Sequence, residues 1–196
     1  MSAAKGAAKG FRKGLEKKIF HGILRTHIPA GMASGSPPLG TQLGQRGVNI
    51  PGFVKDFNER TKNYRPGVPL LSIVQVKPDR SYKLNIQLPP FPYYLFQAAG
   101  ISRGAMQSGR EIAGKITFKH LYEIALIKSQ DIAYQASTMQ EIVDVAMHYA
   151  RQSGIAVVKD LNPEEYAKFL QDRLKIIEDQ KAELQAKREA KLLRTG

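Results

Sequence analysis

Apolar residues alternate with polar ones through the first half of the chain and recur every three to four positions in the second half. The change of period falls at a cluster of prolines. Leu24, Thr26 and Ile28 alternate with Arg25 and His27, which predicts a first strand over residues 22–28. Residues 72–77 and 81–87 alternate around Pro78-Asp79-Arg80, which predicts an antiparallel hairpin with Tyr82, Leu84 and Ile86 on one face and Lys83 and Asn85 on the other. Between strand and hairpin, Asn49 ahead of Pro51 reads as a cap and first-turn proline for a helix over residues 51–61 that carries Phe53, Val54 and Phe57. One helix on a small antiparallel sheet makes an α+β domain, placed at residues 19–87.

Leu88-Pro89-Pro90-Phe91-Pro92 can join neither a central strand nor a helix interior, so residues 88–91 read as a short hinge centred on Pro89 and Pro90. Past it a short helix over residues 92–99 carries Tyr93, Tyr94, Leu95 and Phe96 and stops at Gly100. Residues 102–110 are a polar, glycine-rich loop. A second helix is expected from Thr117 to about Tyr134, with Phe118, Leu121, Ile124, Ala125 and Ile127 on its apolar face. A third opens with the capping box Thr138-Met139-Gln140-Glu141, carries Ile142, Val145, Ala146 and Tyr149, and ends before Gly154. Three short helices with apolar faces need one another, which makes residues 92–160 a small helical domain. Asn162-Pro163-Glu164-Glu165 then opens a last helix running to about Leu193 within residues 161–196. Its first half is expected to dock through Tyr166, Phe169, Leu170, Leu174 and Ile177. Its second half, nearly all charged or alanine, is solvated or lies along another surface.

Residues 36–50 stand apart. Pro37 and Pro38 fix their φ angles and offer no donor, while Gly40, Gly44 and Gly47 turn where a Cβ obstructs. The stretch is expected to be a stiff loop, neither strand nor helix, that presents a surface.

Charge then narrows the partners. Thirty Lys and Arg against seventeen Asp and Glu give a net charge of +13 over 196 residues, which favours a polyanionic partner. Residues 1–18 carry Lys5, Lys9, Arg12, Lys13, Lys17 and Lys18 against one acid, Glu16, as in an organelle-targeting segment, a basic arm on RNA or a disordered tail. There is no cysteine, which excludes disulfides, thiolate zinc sites and cysteine nucleophiles. No apolar run is long enough for a membrane-spanning helix.

Catalytic chemistry does not assemble. His21, His27, His120 and His148 show no metal-ligand spacing, the glycines at 40, 44 and 47 are followed by no Gly-Lys-Ser/Thr, and Asp56 and Glu59 read as a solvated helix face. No catalytic residue, metal or cofactor is expected. RNA binding fits better: Arg103, Arg110, Lys115, Lys119, Lys128 and Arg151 offer cations to phosphates, Gly104, Gly109 and Gly154 permit close backbone approach, and Ser102, Ser108 and Ser153 can meet 2′-hydroxyls. The aromatic residues look committed to the core, which favours RNA recognised by shape over stacked single strands. The alternative is a basic adaptor that grips a protein through the Pro-Gly stretch and never touches RNA.

Several separated motifs in order carry a resemblance. Ala30-Gly31-Met32-Ala33, the Ser36–Ile50 stretch, Phe57-Asn58-Glu59-Arg60-Thr61, Ala98-Ala99-Gly100-Ile101, Gly114-Lys115-Ile116 and Ala150-Arg151 together resemble the large-subunit ribosomal protein family L eleven in its bacterial and organellar form, over residues 20–160. The resemblance implies a noncatalytic constituent of the large ribosomal subunit whose C-terminal domain binds the GTPase-associated centre of the large-subunit rRNA. It adds Gln107, Gly114, Thr138 and His148 to the RNA face. It turns Pro37, Pro38, Leu39, Gly40, Leu43, Gly44 and Gln45 toward translational GTPases and release factors beside the stalk-base ribosomal proteins, and makes Pro89 and Pro90 the family's hinge. The basic N-terminal and charged C-terminal extensions point to a mitochondrial ribosome, with a bacterial cytoplasm as the alternative. The chain departs from the family pattern at His148-Tyr149, where a small pair is usual, at Met106 and Gln107, where lysines are usual, and at Thr41, where a proline is usual.

Overall fold

The computed structural model describes residues 22–195, so the basic stretch at residues 1–18 lies outside the described residues, as do the side chains beyond residue 192. The chain divides into two compact units at Pro90 and Phe91.

In the first unit, β1 (Ile23–Pro29), β2 (Pro69–Val76) and β3 (Tyr82–Ile86) form an antiparallel sheet in the order β1-β2-β3, with Leu24 opposite Val74 and Val74 opposite Leu84. The alternation sends Leu24, Ile28, Leu70, Val74 and Leu84 inward, where they are buried with Phe53 and Phe57 of α2 (Ile50–Arg60). The expected caps are present: the Asn49 side chain accepts the Gly52 amide, and Pro51 sits in the first turn. At the hairpin tip, Arg80 takes a positive φ of 66° while the Asp79 carboxylate accepts the Ser81 amide and hydroxyl.

One expectation is overturned. Residues 36–50 include a helix, α1 (Leu39–Gly44). Both prolines precede it, so neither needs the amide donor that it lacks. Leu39 and Leu43 supply its buried side. Gly40 is required there by close approach, since a Cβ would lie 1.9 Å from the Gly35 carbonyl oxygen. Asn58 and Thr61 of the Phe57–Thr61 motif then tie down the Ala30–Ala33 motif. The Asn58 side chain accepts the Ala33 amide at 3.0 Å and donates to the Ala33 carbonyl at 3.2 Å, and Thr61 Oγ1 accepts the Gly31 amide at 3.1 Å.

The second unit contains α3 (Phe91–Ala99), β4 (Gly114–Thr117), α4 (Phe118–Ser129), α5 (Met139–Gln152), β5 (Ile155–Val158) and α6 (Pro163–Thr195). Phe91, Leu95, Leu121, Ile124, Ile142, Ala146, Ala150 and Ile155 make one core. Thr138 and Glu141 form the expected capping box, and Asn162 accepts the Glu164 amide at the start of α6. Gly100 and Gly154 take positive φ after α3 and α5.

Differences from expectation are local. Phe91, placed in the hinge by sequence, opens α3 and is buried. Helix α4 ends at Ser129, short of Tyr134, because Asp131 turns the chain back into a 3₁₀ turn at Ile132–Tyr134 and holds Lys128. Phe118 and Ile127, expected on the buried face of α4, are exposed. The helices are joined by a parallel strand pair that the sequence reading missed, with Gly114 opposite Ile155 and Thr117 opposite Val158. Leu174, expected to dock α6, is exposed, and Arg173 is buried in its place.

Candidate nucleic-acid interface

The loop between α3 and β4 is pinned along the C-terminal end of α5. The Ala105 amide donates to the Ser153 carbonyl at 2.9 Å, the Ala113 amide donates to the Gly154 carbonyl at 2.7 Å, and the Ser108 hydroxyl donates to the Gln152 carbonyl. Both glycines at this seam are there for closeness. A Cβ on Gly104 would meet the Ser153 carbonyl at 2.8 Å, and one on Gly154 would meet the Ala105 side chain at 2.4 Å. The result brings Ser102, Arg103, Gly104, Gln107, Ser108, Gly109 and Arg110 together with Arg151, Ser153 and Gly154. Gln107, Ser108, Gly109, Arg110, His148 and Arg151 are exposed. An exposed rim of amides, hydroxyls and guanidinium groups on rigid elements suits phosphate and 2′-hydroxyl contact.

Glu111 anchors this loop, and sequence reasoning passed over it. One carboxylate oxygen accepts the Met106 amide at 2.9 Å and the Gln107 amide at 3.2 Å; the other accepts Gln180 Nε2 at 2.8 Å and pairs with Arg173 of α6. Burial pushes the Glu111 carboxyl up, but the bonds from Gln180, Arg173 and the Gln107 amide outweigh it and hold the pKa at about 2. The available signal was its isolation: it is the sole acid between Gly100 and Lys119.

Other proposed residues sit elsewhere. Lys128 is a correction. It is 4% exposed, its ammonium 2.6 Å from the Asp131 carboxylate and over the rings of Phe91 and Tyr134, so it serves the core instead of a phosphate. Gly114 is buried as well, where a Cβ would meet the Ala99 side chain at 3.0 Å and that of Ile101 at 3.2 Å, and acts in packing. The Lys115 amide donates to the Tyr166 hydroxyl at 3.2 Å, and its ammonium lies 4.9 Å from the Phe169 ring centre, so α6 covers it. Lys119 is exposed in the first turn of α4. Thr138 caps the far end of α5 from Arg151, about 20 Å away along a helix of 14 residues. A cleft of about 290 Å³ remains between α6 and the start of the loop, lined by Ile101, Arg103, Leu170, Arg173, Leu174 and Ile177 among others.

In the first unit, Pro37, Pro38, Gly44 and Gln45 are exposed, whereas Leu39, Gly40 and Leu43 are buried and correct the expectation that they face outward. They support the edge from beneath.

Residues 24–82 match the model described as "Ribosomal protein L11, N-terminal domain", and residues 87–157 match "Ribosomal protein L11, RNA binding domain". The chain is 50% identical over its whole length to the large ribosomal subunit protein uL11m of Drosophila melanogaster, which it also covers in full. This chain belongs to the ribosomal protein L11 family. A Caenorhabditis elegans uL11m is 47% identical over 98% of this chain and 99% of its own. The uL11 of the bacterium Roseobacter denitrificans is 38% identical over 73% of this chain and 99% of its own. L11 proteins are structural components of the large ribosomal subunit, not enzymes, and the pinned loop with the end of α5 lies inside the L11 RNA-binding match. Helix α6 begins at Pro163, beyond it.

Proposed function

We propose that this chain is a noncatalytic constituent of the large subunit of the mitochondrial ribosome, and that its second unit binds the GTPase-associated centre of the large-subunit rRNA. The observation that carries the reading is the exposed loop tip at residues 107–110, fastened to the helix end that bears Arg151. That geometry supplies two guanidinium groups, hydroxyls and approachable backbone on one rigid surface, as recognition of a folded RNA requires. The exposed Pro37, Pro38, Gly44 and Gln45 form the edge of the stalk base that meets translational GTPases and release factors, with Pro89 and Pro90 as the hinge. Lys119 and Thr138 lie elsewhere on the second unit and are proposed as further RNA contacts, each apart from that surface. Full-length similarity to the animal uL11m proteins, together with the basic N-terminal stretch, supports the mitochondrial placement.

Titration of the full chain against an rRNA fragment spanning the GTPase-associated centre, at increasing salt, tests the reading. Affinity falls steeply with salt, and Arg151→Ala or Arg110→Ala weakens binding and lowers the slope by about one. Pro38→Ala leaves RNA affinity intact and impairs factor-dependent GTP hydrolysis on reconstituted ribosomes. Equal affinity for an unrelated RNA hairpin overturns the assignment. Equal loss of RNA affinity in Pro38→Ala and Arg151→Ala overturns the division of labour.

A further inference from the structure

Helix α6 meets the rest of its unit through an unexpected face. Between residues 171 and 180, the side chains withdrawn from solvent are Arg173, Ile177 and Gln180, spaced as one side of a helix, while Leu174 and Ile176 point outward. Two of those three are polar, and Arg173 is only 3% exposed. A helix that needed only to be anchored would bury its leucines. Burying a guanidinium is costly unless a matched anion waits for it, and here the anion is Glu111.

The four donors on that carboxylate come in two pairs, the Met106 and Gln107 amides from the loop and Arg173 and Gln180 from α6. Gln180 works twice. Its carbonyl oxygen accepts from Arg103 at 2.5 Å while its amide nitrogen donates to Glu111, so one side chain ties together residues near both ends of the loop. We propose that α6 is a brace for the RNA-facing loop, and that Glu111 and Gln180 are positioning residues that fix the loop tip in its binding shape without touching RNA. The inference rests on the RNA-binding reading above and extends it to a helix outside the L11 RNA-binding match.

The sign of one substitution separates bracing from simple electrostatics. Glu111→Gln removes a negative charge from a surface that meets a polyanion, so charge alone predicts tighter RNA binding. Bracing predicts weaker binding, because an unfastened loop must be ordered when RNA binds. In the full chain, Glu111→Gln is expected to lose about tenfold in affinity for the GTPase-centre fragment, and Gln180→Ala a smaller factor. The slope of affinity against salt stays at the wild-type value, since no phosphate contact is lost, unlike Arg151→Ala. In the free protein, the Met106 and Gln107 amides exchange hydrogen faster in Gln180→Ala than in wild type. Folded Glu111→Gln that binds as tightly as wild type, or tighter, overturns the brace; should that variant not fold, unchanged affinity and exchange in Gln180→Ala do the same. Wild-type protein with no selective affinity for the fragment instead overturns the RNA reading, and the exchange measurement still decides whether the loop is braced.

Discussion

Gly154 presses against Ala105: a Cβ placed on the glycine would come within 2.4 Å of the alanine's own Cβ. The same glycine has a φ of +74°, so a side chain there is strained even before it collides. Gly154→Ala is therefore expected to destabilise the second unit by about 2–4 kcal/mol, since contact and backbone penalties act together. The variant should also bind RNA less well, because the seam it opens carries the loop. Thermal denaturation with RNA titration of the surviving folded protein checks both, and an unchanged melting temperature refutes the close packing.

Lys128 illustrates how a surface reading fails. Its ammonium and the Asp131 carboxylate are withdrawn from water together, so removing one partner breaks an ion pair at a buried site. Asp131→Ala should cost about 3–5 kcal/mol of stability. Lys128→Met, measured where the protein remains folded, should leave the salt slope of RNA binding unchanged, whereas loss of a phosphate contact lowers it by about one. A lowered slope would return Lys128 to the RNA face.

What the sequence made legible was what neighbouring residues decide among themselves. Asn49, the Thr138–Glu141 pair and Asn162 announce helix starts because a cap needs only the next three residues. Leu24, Val74 and Leu84 announce the sheet because alternation is local. The misses are decided across the chain. Lys128 reads as a surface cation for RNA until the chain reversal after α4 buries it against Asp131. Helix α1 was hidden because Gly40 looks like a breaker until Gly35 is seen pressed against it. The strands β4 and β5 are only four residues each and pair in parallel from opposite sides of two helices, which leaves no periodic trace. On the RNA face, the cations were visible, but Glu111 was not, because its partners Arg173 and Gln180 lie 62 and 69 residues away.

Acid should test Glu111 directly. Its folded pKa of about 2 lies below the ordinary glutamate value of 4.5, so the carboxylate contributes stability that is fully present above about pH 4.5 and is lost as pH falls toward 2. The contribution is on the order of 2–3 kcal/mol at neutral pH. Urea unfolding of wild type and Glu111→Gln should therefore show a stability gap at pH 7 that narrows steadily below pH 4.5. A gap independent of pH would mean that the carboxylate's charge is not what matters.

Tyr166 offers the narrowest change. Its hydroxyl donates to the Ala99 carbonyl at 2.5 Å and accepts the Lys115 amide at 3.2 Å, while its ring stacks on Phe169 with centres 5.8 Å apart. Tyr166→Phe keeps the ring and deletes only the oxygen, so any effect belongs to those two bonds. Leaving the Lys115 amide and the Ala99 carbonyl without their partner should cost about 1–3 kcal/mol. The loss should be concentrated where α6 meets the end of α3 and the start of β4, so hydrogen exchange should accelerate at Lys115 and along the first turns of α6 while the α5 core amides stay protected. If exchange instead rises evenly across the unit, or not at all, the hydroxyl does not fasten the helix.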